Sequence, residues 1–184
     1  MHQTIVLYQS HYGSTKRYAQ WIAKALSCPA CESKKFPAQD LAGYDTVVFG
    51  GGLYAGGVNG VKFIRRNWKL LSDKRVVLFT CGLADPDNLK NAANIRDSLS
   101  RALSEEILNR LRLFHLRGDM DYSRLSFTHR SMMAMLRKML LKKEGDGSLS
   151  PEDRMLLDTY GKSLDFTDEK TIQPLVDFIQ SSHP

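Results

Sequence analysis

A chain of 184 residues is long enough for one domain with a substantial hydrophobic core and too short for two such domains. Its 42% hydrophobic and 25% charged residues are typical of globular proteins, and no apolar run reaches the roughly 18 residues that a membrane span needs. The excess of 26 basic over 20 acidic residues favours anionic partners, but the scattered basic residues lack the interleaved aromatic residues of a nucleic-acid surface. The first nine residues resemble a buried strand rather than a signal peptide. We therefore expect a single cytoplasmic domain over residues 1–184 that does not bind nucleic acid.

The chain alternates between apolar runs and helical patterns. Ile5 to Tyr8 form a continuous apolar run, which is typical of a central parallel strand covered on both faces. The pattern then changes to helical periodicity and predicts a helix from about Thr15 to Leu26, which Pro29 terminates. Four further strands are predicted, of which the first is polar enough to lie at the edge of the sheet: residues 30–36, 46–50, 75–80 and 111–116.

Helices are predicted between the later strands and at the end of the chain. Residues 61–71 carry one helical face, a second helix extends over about 88–103, and Ser104 can cap a further short turn. Thr167 is predicted to cap the terminal helix. Strands alternating with helices in this way predict an α/β fold with a doubly wound, five-stranded parallel sheet and helices on both faces.

Residues 117–166 form an insertion before the last helix that is far longer than an ordinary connection in an α/β domain. It contains a helical run over about 131–143, followed by a helix start at Ser150-Pro151. The run is predicted to place five apolar residues on one face, with basic residues nearby: Met132, Met135, Leu136, Met139 and Leu140. Either this face packs against the domain, or it contacts a quinone tail, a porphyrin or the inner face of an anionic membrane.

The three cysteines of the chain fit a reducing compartment rather than a disulfide framework. Cys28 and Cys31 have thioredoxin-type spacing, but they follow a predicted helix instead of opening one. Zinc would need a second pair of ligands, which the sequence does not offer. We therefore expect two small buried thiols here and no metal site.

The loop between the first strand and the first helix has the features of a phosphate site. The amide groups at a helix start carry the equivalent of about +0.5 charge, and short polar residues let a phosphate approach the backbone. The loop lacks the GxxxxGK[ST] pattern of nucleoside triphosphate sites and the GxGxxG pattern of dinucleotide folds. It also lacks the acidic residues that receiver domains carry after their first strand. It consists of Ser10, His11, Tyr12, Gly13, Ser14 and Thr15.

The run from Val6 to Ile22 resembles the flavodoxin signature position by position. This resemblance implies the strand order 2-1-3-4-5 and non-covalent binding of FMN, with its phosphate at Ser10, Tyr12, Gly13, Ser14 and Thr15. It also implies that two further loops flank the isoalloxazine ring. Their candidate residues are Gly52, Leu53, Tyr54, Ala55 and Gly56 in the first, and Cys81, Gly82 and Leu83 in the second. Tyr54 either stacks on the ring or packs over the end of the sheet.

Within this family the chain is most similar to the short, menaquinone-dependent protoporphyrinogen dehydrogenases. The similarity rests on the segment 54–56, on the strand end at 116–119 and on the long insertion. It implies an FMN-dependent oxidoreductase that passes electrons from a reduced organic substrate to a quinone-like acceptor. The alternatives are a non-catalytic electron carrier with a redox protein partner, and a module that has lost its flavin. No proton-transfer role is assigned to the ionisable residues near the fifth strand and in the insertion: His115, Asp119, Asp121 and His129.

Overall fold

The computed structural model describes residues 3–54 and 56–181. The chain divides into two compact units. The main unit comprises Met1–Gly118 together with Thr167–Pro184, and the insertion unit comprises Asp119–Phe166. The predicted insertion at 117–166 coincides closely with the second unit.

The main unit is built on a parallel sheet. Its strands are β1 Thr4–Gln9, β2 Ala30–Glu32, β3 Thr46–Tyr54, β4 Gly57–Val58, β5 Arg75–Gly82 and β6 Leu111–Arg117. The five parallel strands follow the order β2-β1-β3-β5-β6, and β4 pairs antiparallel with β3. The predicted order 2-1-3-4-5 is therefore confirmed. Because all five parallel strands run the same way, their carboxyl ends meet at one edge of the sheet.

The helices alternate with the strands along the chain. They are α1 Ser14–Ala25, α2 Val61–Arg66, α3 Trp68–Leu71, α4 Leu89–Ser100, α5 Glu105–Arg110, α6 Phe127–Gly145, α7 Pro151–Asp158 and α8 Gln173–Ser181. Of these, α6 and α7 belong to the insertion unit. No helix within the described ranges is both long enough and apolar enough to cross a membrane.

Each face of the sheet covers its own apolar core. Successive residues of a strand point to opposite faces, so Ile5 and Val6 contribute to different cores. The core that contains Val6 also contains fully buried residues of α1 and α8, among them Tyr18 and Leu175. The core that contains Ile5 also contains Ile64 of α2 and residues of α3, α4 and α5. The doubly wound arrangement is thereby confirmed.

The structure corrects several boundaries of the main unit. The helix predicted over 61–71 is two short helices, because the chain turns at Asn67, whose side-chain amide donates to the Phe63 carbonyl at 2.9 Å. The edge strand β2 is much shorter than the predicted 30–36. Thr167 does not cap the terminal helix. The side chain of Asp168 instead accepts from the Lys170 amide at 2.9 Å and begins a 3-10 turn, Glu169–Ile172, that leads into α8.

The insertion unit combines two helices with a small antiparallel sheet of β7 Asp119–Asp121 and β8 Ser163–Asp165. The predicted start of α7 is confirmed, because the Ser150 hydroxyl accepts from the Asp153 amide at 3.1 Å. The predicted face of the Met-rich helix is wrong in part. Only Leu140 is fully buried, while Met135 and Met139 are 63% and 56% exposed. The residues of α6 that face α7 include Leu136 and Leu140 of the predicted face together with Met133, which was not predicted to belong to it.

Candidate functional site

The three segments predicted to bind a cofactor lie at the carboxyl ends of β1, β3 and β5, which are neighbours in the sheet. The prediction of loops is wrong in part, because β3 and β5 extend further than expected: Gly52 to Tyr54 are the last residues of β3, and Cys81 and Gly82 are the last residues of β5. Gln9 at the end of β1 is in register with Gly51 of β3, and Gly52 of β3 is in register with Cys81 of β5. The topology therefore brings the three loops together, as expected for a ligand site of a doubly wound sheet.

The first loop ends at an uncapped helix. Gly13 has a φ of +123°, a conformation that side chains other than glycine rarely adopt, and its amide donates to the Ser10 hydroxyl at 3.1 Å. No side chain caps the amino terminus of α1, and its first turn contains no acidic residue. The helices α4 to α7, in contrast, are each capped by a side chain: Asn88, Ser104, Ser126 and Ser150. The start of α1 is thus free to bind an anion through its amide groups.

A buried hydroxyl at this helix start has no protein partner. Thr15 is 1% exposed, and its Oγ1 makes no hydrogen bond with any residue that the structure describes. Leaving a buried polar group unpaired costs about 1 to 3 kcal/mol, so such a group is expected to have a partner, which a bound ligand can supply. The neighbouring Ser14 is also buried. These two hydroxyls and the uncapped helix form a set of donors suited to a phosphate monoester.

In the second loop Tyr54 joins an aromatic cluster with two residues of the first loop. The ring centroids of His11 and Tyr12 lie 4.5 Å apart, and the Tyr54 ring lies 5.7 Å from each of them. A Cβ atom at Gly52 would lie only 2.5 Å from the Tyr54 ring, so a glycine is required beneath it. Burial raises the pKa of Tyr54 to about 12, which keeps its phenol neutral at physiological pH.

The remaining predicted residues fix the second and third loops to each other and to the scaffold. Leu53 packs directly against Gly82, since a Cβ atom added at Gly82 would lie 2.7 Å from Leu53 Cδ1. The Gly56 carbonyl accepts a hydrogen bond from the Ser98 hydroxyl of α4. Cys81 is buried. Ala55, which was predicted to flank the flavin, lies outside the described residues.

Three residues that sequence reasoning did not assign to the site organise the third loop. The Arg117 guanidinium donates to the Leu83 carbonyl from Nε at 3.3 Å and from Nη2 at 3.2 Å. The Gly118 amide donates to the Gly82 carbonyl at 2.8 Å. The Tyr18 hydroxyl donates to the Arg117 carbonyl at 2.7 Å and holds that strand end in place. The only sequence signal was the position of Arg117 and Gly118 at a strand end.

Gly118 also allows a close contact between two of the predicted loops. A Cβ atom at this position would lie 2.9 Å from Cys81 Sγ and 3.1 Å from Ser14 Oγ. A larger residue would therefore displace the Cys81 thiol or the Ser14 hydroxyl. The glycine keeps β6 close to the candidate phosphate loop.

The alternative sites considered from the sequence gain no support. Burial raises the pKa of the Cys28 thiol to about 11, whereas a thioredoxin-type nucleophile has a lowered pKa. Cys28 and Cys31 are partly exposed, so the prediction that both are buried is wrong. Cys28 follows the end of α1, and Cys31 lies within the edge strand β2. Burial lowers the pKa of His115, whose Nδ1 lies 2.8 Å from the buried Thr80 hydroxyl. Such a histidine is neutral at physiological pH and is held by a structural partner.

Comparison with known proteins agrees with this geometry. The family model for the flavodoxin domain matches residues 5–147. The chain belongs to the flavodoxin family. Proteins of this family generally bind FMN, and the uncapped start of α1 with the unpaired Thr15 hydroxyl fits the phosphate of that cofactor.

Solved structures with a similar chain include several flavoproteins. The WrbA-like flavodoxin of Agrobacterium tumefaciens is 22% identical, over 55% of this chain and 72% of that one, with a TM-score of 0.43. Flavodoxin 1 of Bacillus cereus is 16% identical, over 62% and 84% of the two chains, with a TM-score of 0.42. The Trp repressor binding protein of Bacillus subtilis is 12% identical, over 63% and 83%, with a TM-score of 0.45. A search of curated proteins gives no match.

Proposed function

We propose that this protein is an FMN-dependent oxidoreductase that passes electrons from a reduced organic substrate to a quinone-like acceptor. The observation that carries the proposal is the buried, unpaired hydroxyl of Thr15 at the uncapped start of α1, in a domain of the flavodoxin family. A hydroxyl in this environment is stabilised when a bound ligand supplies its hydrogen-bond partner.

The chain's own residues bind and orient the cofactor. Ser10, Tyr12, Ser14 and Thr15, with the amides of α1, would hold the phosphate, while Tyr54 of the second loop and Leu83 of the third would flank the flavin ring. When bound, FMN supplies reversible hydride and electron transfer, which no side chain of the protein provides. The neutral phenol of Tyr54 offers an aromatic face without adding negative charge beside the ring.

The charge of the main unit favours an enzyme over an electron carrier. This unit contains 18 basic and 12 acidic residues, so the whole positive excess of the chain belongs to it. Lys16 and Arg17 lie in the first turn of α1, and Arg117 holds the third loop. Positive charge near the cofactor would stabilise an anionic reduced flavin, in contrast to the acidic environment expected of carrier flavodoxins.

Protoporphyrinogen is the substrate that the resemblance to menaquinone-dependent dehydrogenases suggests for this enzyme. The insertion unit supplies a feature that suits a lipid-dissolved quinone acceptor. On α6 the apolar side chains of Met135, Met139 and Leu141 are exposed, and the helix contains five basic residues and one acidic residue. Exposed methionines among basic side chains are suited to an anionic lipid surface.

Spectroscopy of the purified full-length protein tests the function. We expect a flavin absorbance spectrum that bleaches when protoporphyrinogen is added without oxygen, and that returns when a soluble menaquinone analogue is added. Bleaching only by a reduced redox protein would instead establish an electron carrier. A colourless protein that fails to bind added FMN would refute both functions.

Vesicle binding tests the proposed contact between α6 and a lipid surface. The variant M135D/M139D should lose binding to anionic phosphatidylglycerol vesicles, because it places charge on the exposed apolar surface of α6. The variant L70D/L89D, which makes the same apolar-to-aspartate change at two exposed residues of the main unit, should lose much less binding. Equal vesicle binding by the wild type and M135D/M139D would contradict the lipid contact.

A further inference from the structure

A second concave site lies in the main unit, beside the hairpin that β4 forms with the end of β3. It has a volume of about 790 Å³ and lies between β4, α2 and the end of α4. Small-molecule sites in proteins typically have volumes of roughly 300 to 1,000 Å³. None of the residues predicted to bind FMN lines this cleft. We refer to it as the α2–α4 cleft.

The rim of the cleft is basic. Five basic residues line it and no acidic residue does: Lys34, Lys62, Arg65, Arg66 and Arg101. Arg101 forms an ion pair with Asp97, and Arg65 donates to the Ala102 carbonyl at 3.4 Å. Lys34, Lys62 and Arg66 form no ion pair with the residues described in the structure. Three cations are therefore available around one concavity.

The floor of the cleft is apolar and held in place by short-range contacts. Phe63 and Ala102 are partly exposed there, above the buried side chains of Val58, Val61 and Leu99. At one end the Gln9 amide donates to Asn59 Oδ1 at 2.6 Å, which ties the end of β1 to the turn before α2. Gly60 permits this contact, since a Cβ atom there would lie 2.8 Å from Gln9 Cβ. The site thus combines an apolar floor with a rim of positive charges.

We propose that the α2–α4 cleft binds a small organic polyanion, with an apolar body on the floor and two or more acidic groups at the rim. A free inorganic anion would leave the partly exposed apolar side chains of Phe63 and Ala102 in contact with water. An extended polyanion such as a nucleic acid would not fill a concavity of this volume. The proposal does not depend on the binding of FMN, because the cleft and the candidate flavin loops share no residue.

Calorimetric titration with pyranine, a planar pyrene trisulfonate, tests the proposal on the full-length protein. We expect saturable binding by the wild type, and an affinity at least about tenfold lower in the variant K62E/R66E, a change of about 1.4 kcal/mol. The control variant K24E/K170E makes the same change in net charge at exposed positions outside the cleft and should alter the affinity less than about twofold. Thermal unfolding of each variant checks that it is folded.

Several results would overturn the proposal. The first is that the wild type does not bind pyranine, or binds heparin but not pyranine. The second is that K62E/R66E and K24E/K170E lose pyranine affinity equally. The third is that an equal concentration of inorganic phosphate displaces pyranine. The FMN content of the same samples is measured as well, so that failure of pyranine binding can be distinguished from failure of the proposed function. A colourless protein that fails to bind added FMN but binds pyranine as described would refute the function and support the cleft.

Discussion

The helices α1 and α7 begin in opposite ways. At α7 the Ser150 hydroxyl accepts from the Asp153 amide at 3.1 Å, and Pro151 occupies the first turn, where its missing amide hydrogen is not needed. At α1 the preceding residue is Gly13, no side chain caps the helix, and the Thr15 hydroxyl is buried without a protein partner. The first arrangement stabilises the folded chain by itself. The second leaves groups unsatisfied that a bound anion can satisfy.

The largest expected effect comes from Gly13→Val. A side chain at a φ of +123° strains the backbone by about 1 to 3 kcal/mol, although a Cβ atom there would meet nothing within 4 Å. We expect a lower melting temperature and loss of FMN binding, measured by thermal unfolding and by flavin fluorescence. Gly43→Val is the matched control, because Gly43 also has open space around its Cβ position but no positive φ. Unchanged FMN affinity in the Gly13 variant would show that the loop does not bind the cofactor.

Thr15→Val separates ligand binding from stability most clearly. Removing an unpaired buried hydroxyl should leave the stability of the FMN-free protein unchanged or raise it by up to about 1 kcal/mol, while FMN affinity falls at least about tenfold. Thr80 provides the contrast, since it is also fully buried but pairs with His115. Thr80→Val should destabilise the FMN-free protein. The free energies of unfolding of both FMN-free variants are measured by chemical unfolding. If Thr15 were an ordinary core threonine, Thr15→Val would destabilise the protein as Thr80→Val does.

Gly118→Ala tests whether β6 positions the uncapped helix start. The added methyl group would lie 2.9 Å from Cys81 Sγ and 3.1 Å from Ser14 Oγ, so one of them must move. We expect a several-fold weaker affinity for FMN with a modest loss of stability of about 1 kcal/mol. Gly145→Ala at the end of α6 has open space around its Cβ and serves as the control. Equal FMN affinities of the two variants would remove Gly118 from the site.

The smallest effect is expected at the capped helix. Ser150→Ala removes the cap of α7 and should lower the free energy of unfolding by about 1 kcal/mol. FMN affinity should not change, because this cap serves only the folding of the insertion unit. A drop in FMN affinity on this substitution would contradict the distinction between the two helix starts.

The sequence was sufficient to predict those strands and helices that a local pattern of apolar residues defines. The apolar run Ile5 to Tyr8 and the change to helical periodicity after it predicted β1 and α1, and parallel topology then predicted that the three loops meet. The contact of Arg117 with the Leu83 carbonyl joins positions 34 residues apart, and no local pattern indicates it. The same holds for the unpaired state of the Thr15 hydroxyl, which depends on everything packed around it.

The sequence-based predictions failed where one residue pattern is compatible with two structures. Thr167 and Asp168 are both good helix caps, and only the fold selects Asp168. The Met-rich helix carries apolar residues on more than one side. Its buried stripe is set by the packing of Leu136 and Leu140 against α7, so Met135 and Met139 remain exposed.

The central claim is that the start of α1 binds the phosphate of FMN, and the affinity of FMN relative to riboflavin tests it most directly. Riboflavin has the same ring system and lacks only the phosphate. The wild type should bind FMN at least about 100-fold more tightly than riboflavin, since the phosphate adds several charge-assisted hydrogen bonds, and Thr15→Val should narrow this ratio. Equal affinities of the wild type for FMN and riboflavin would contradict the account.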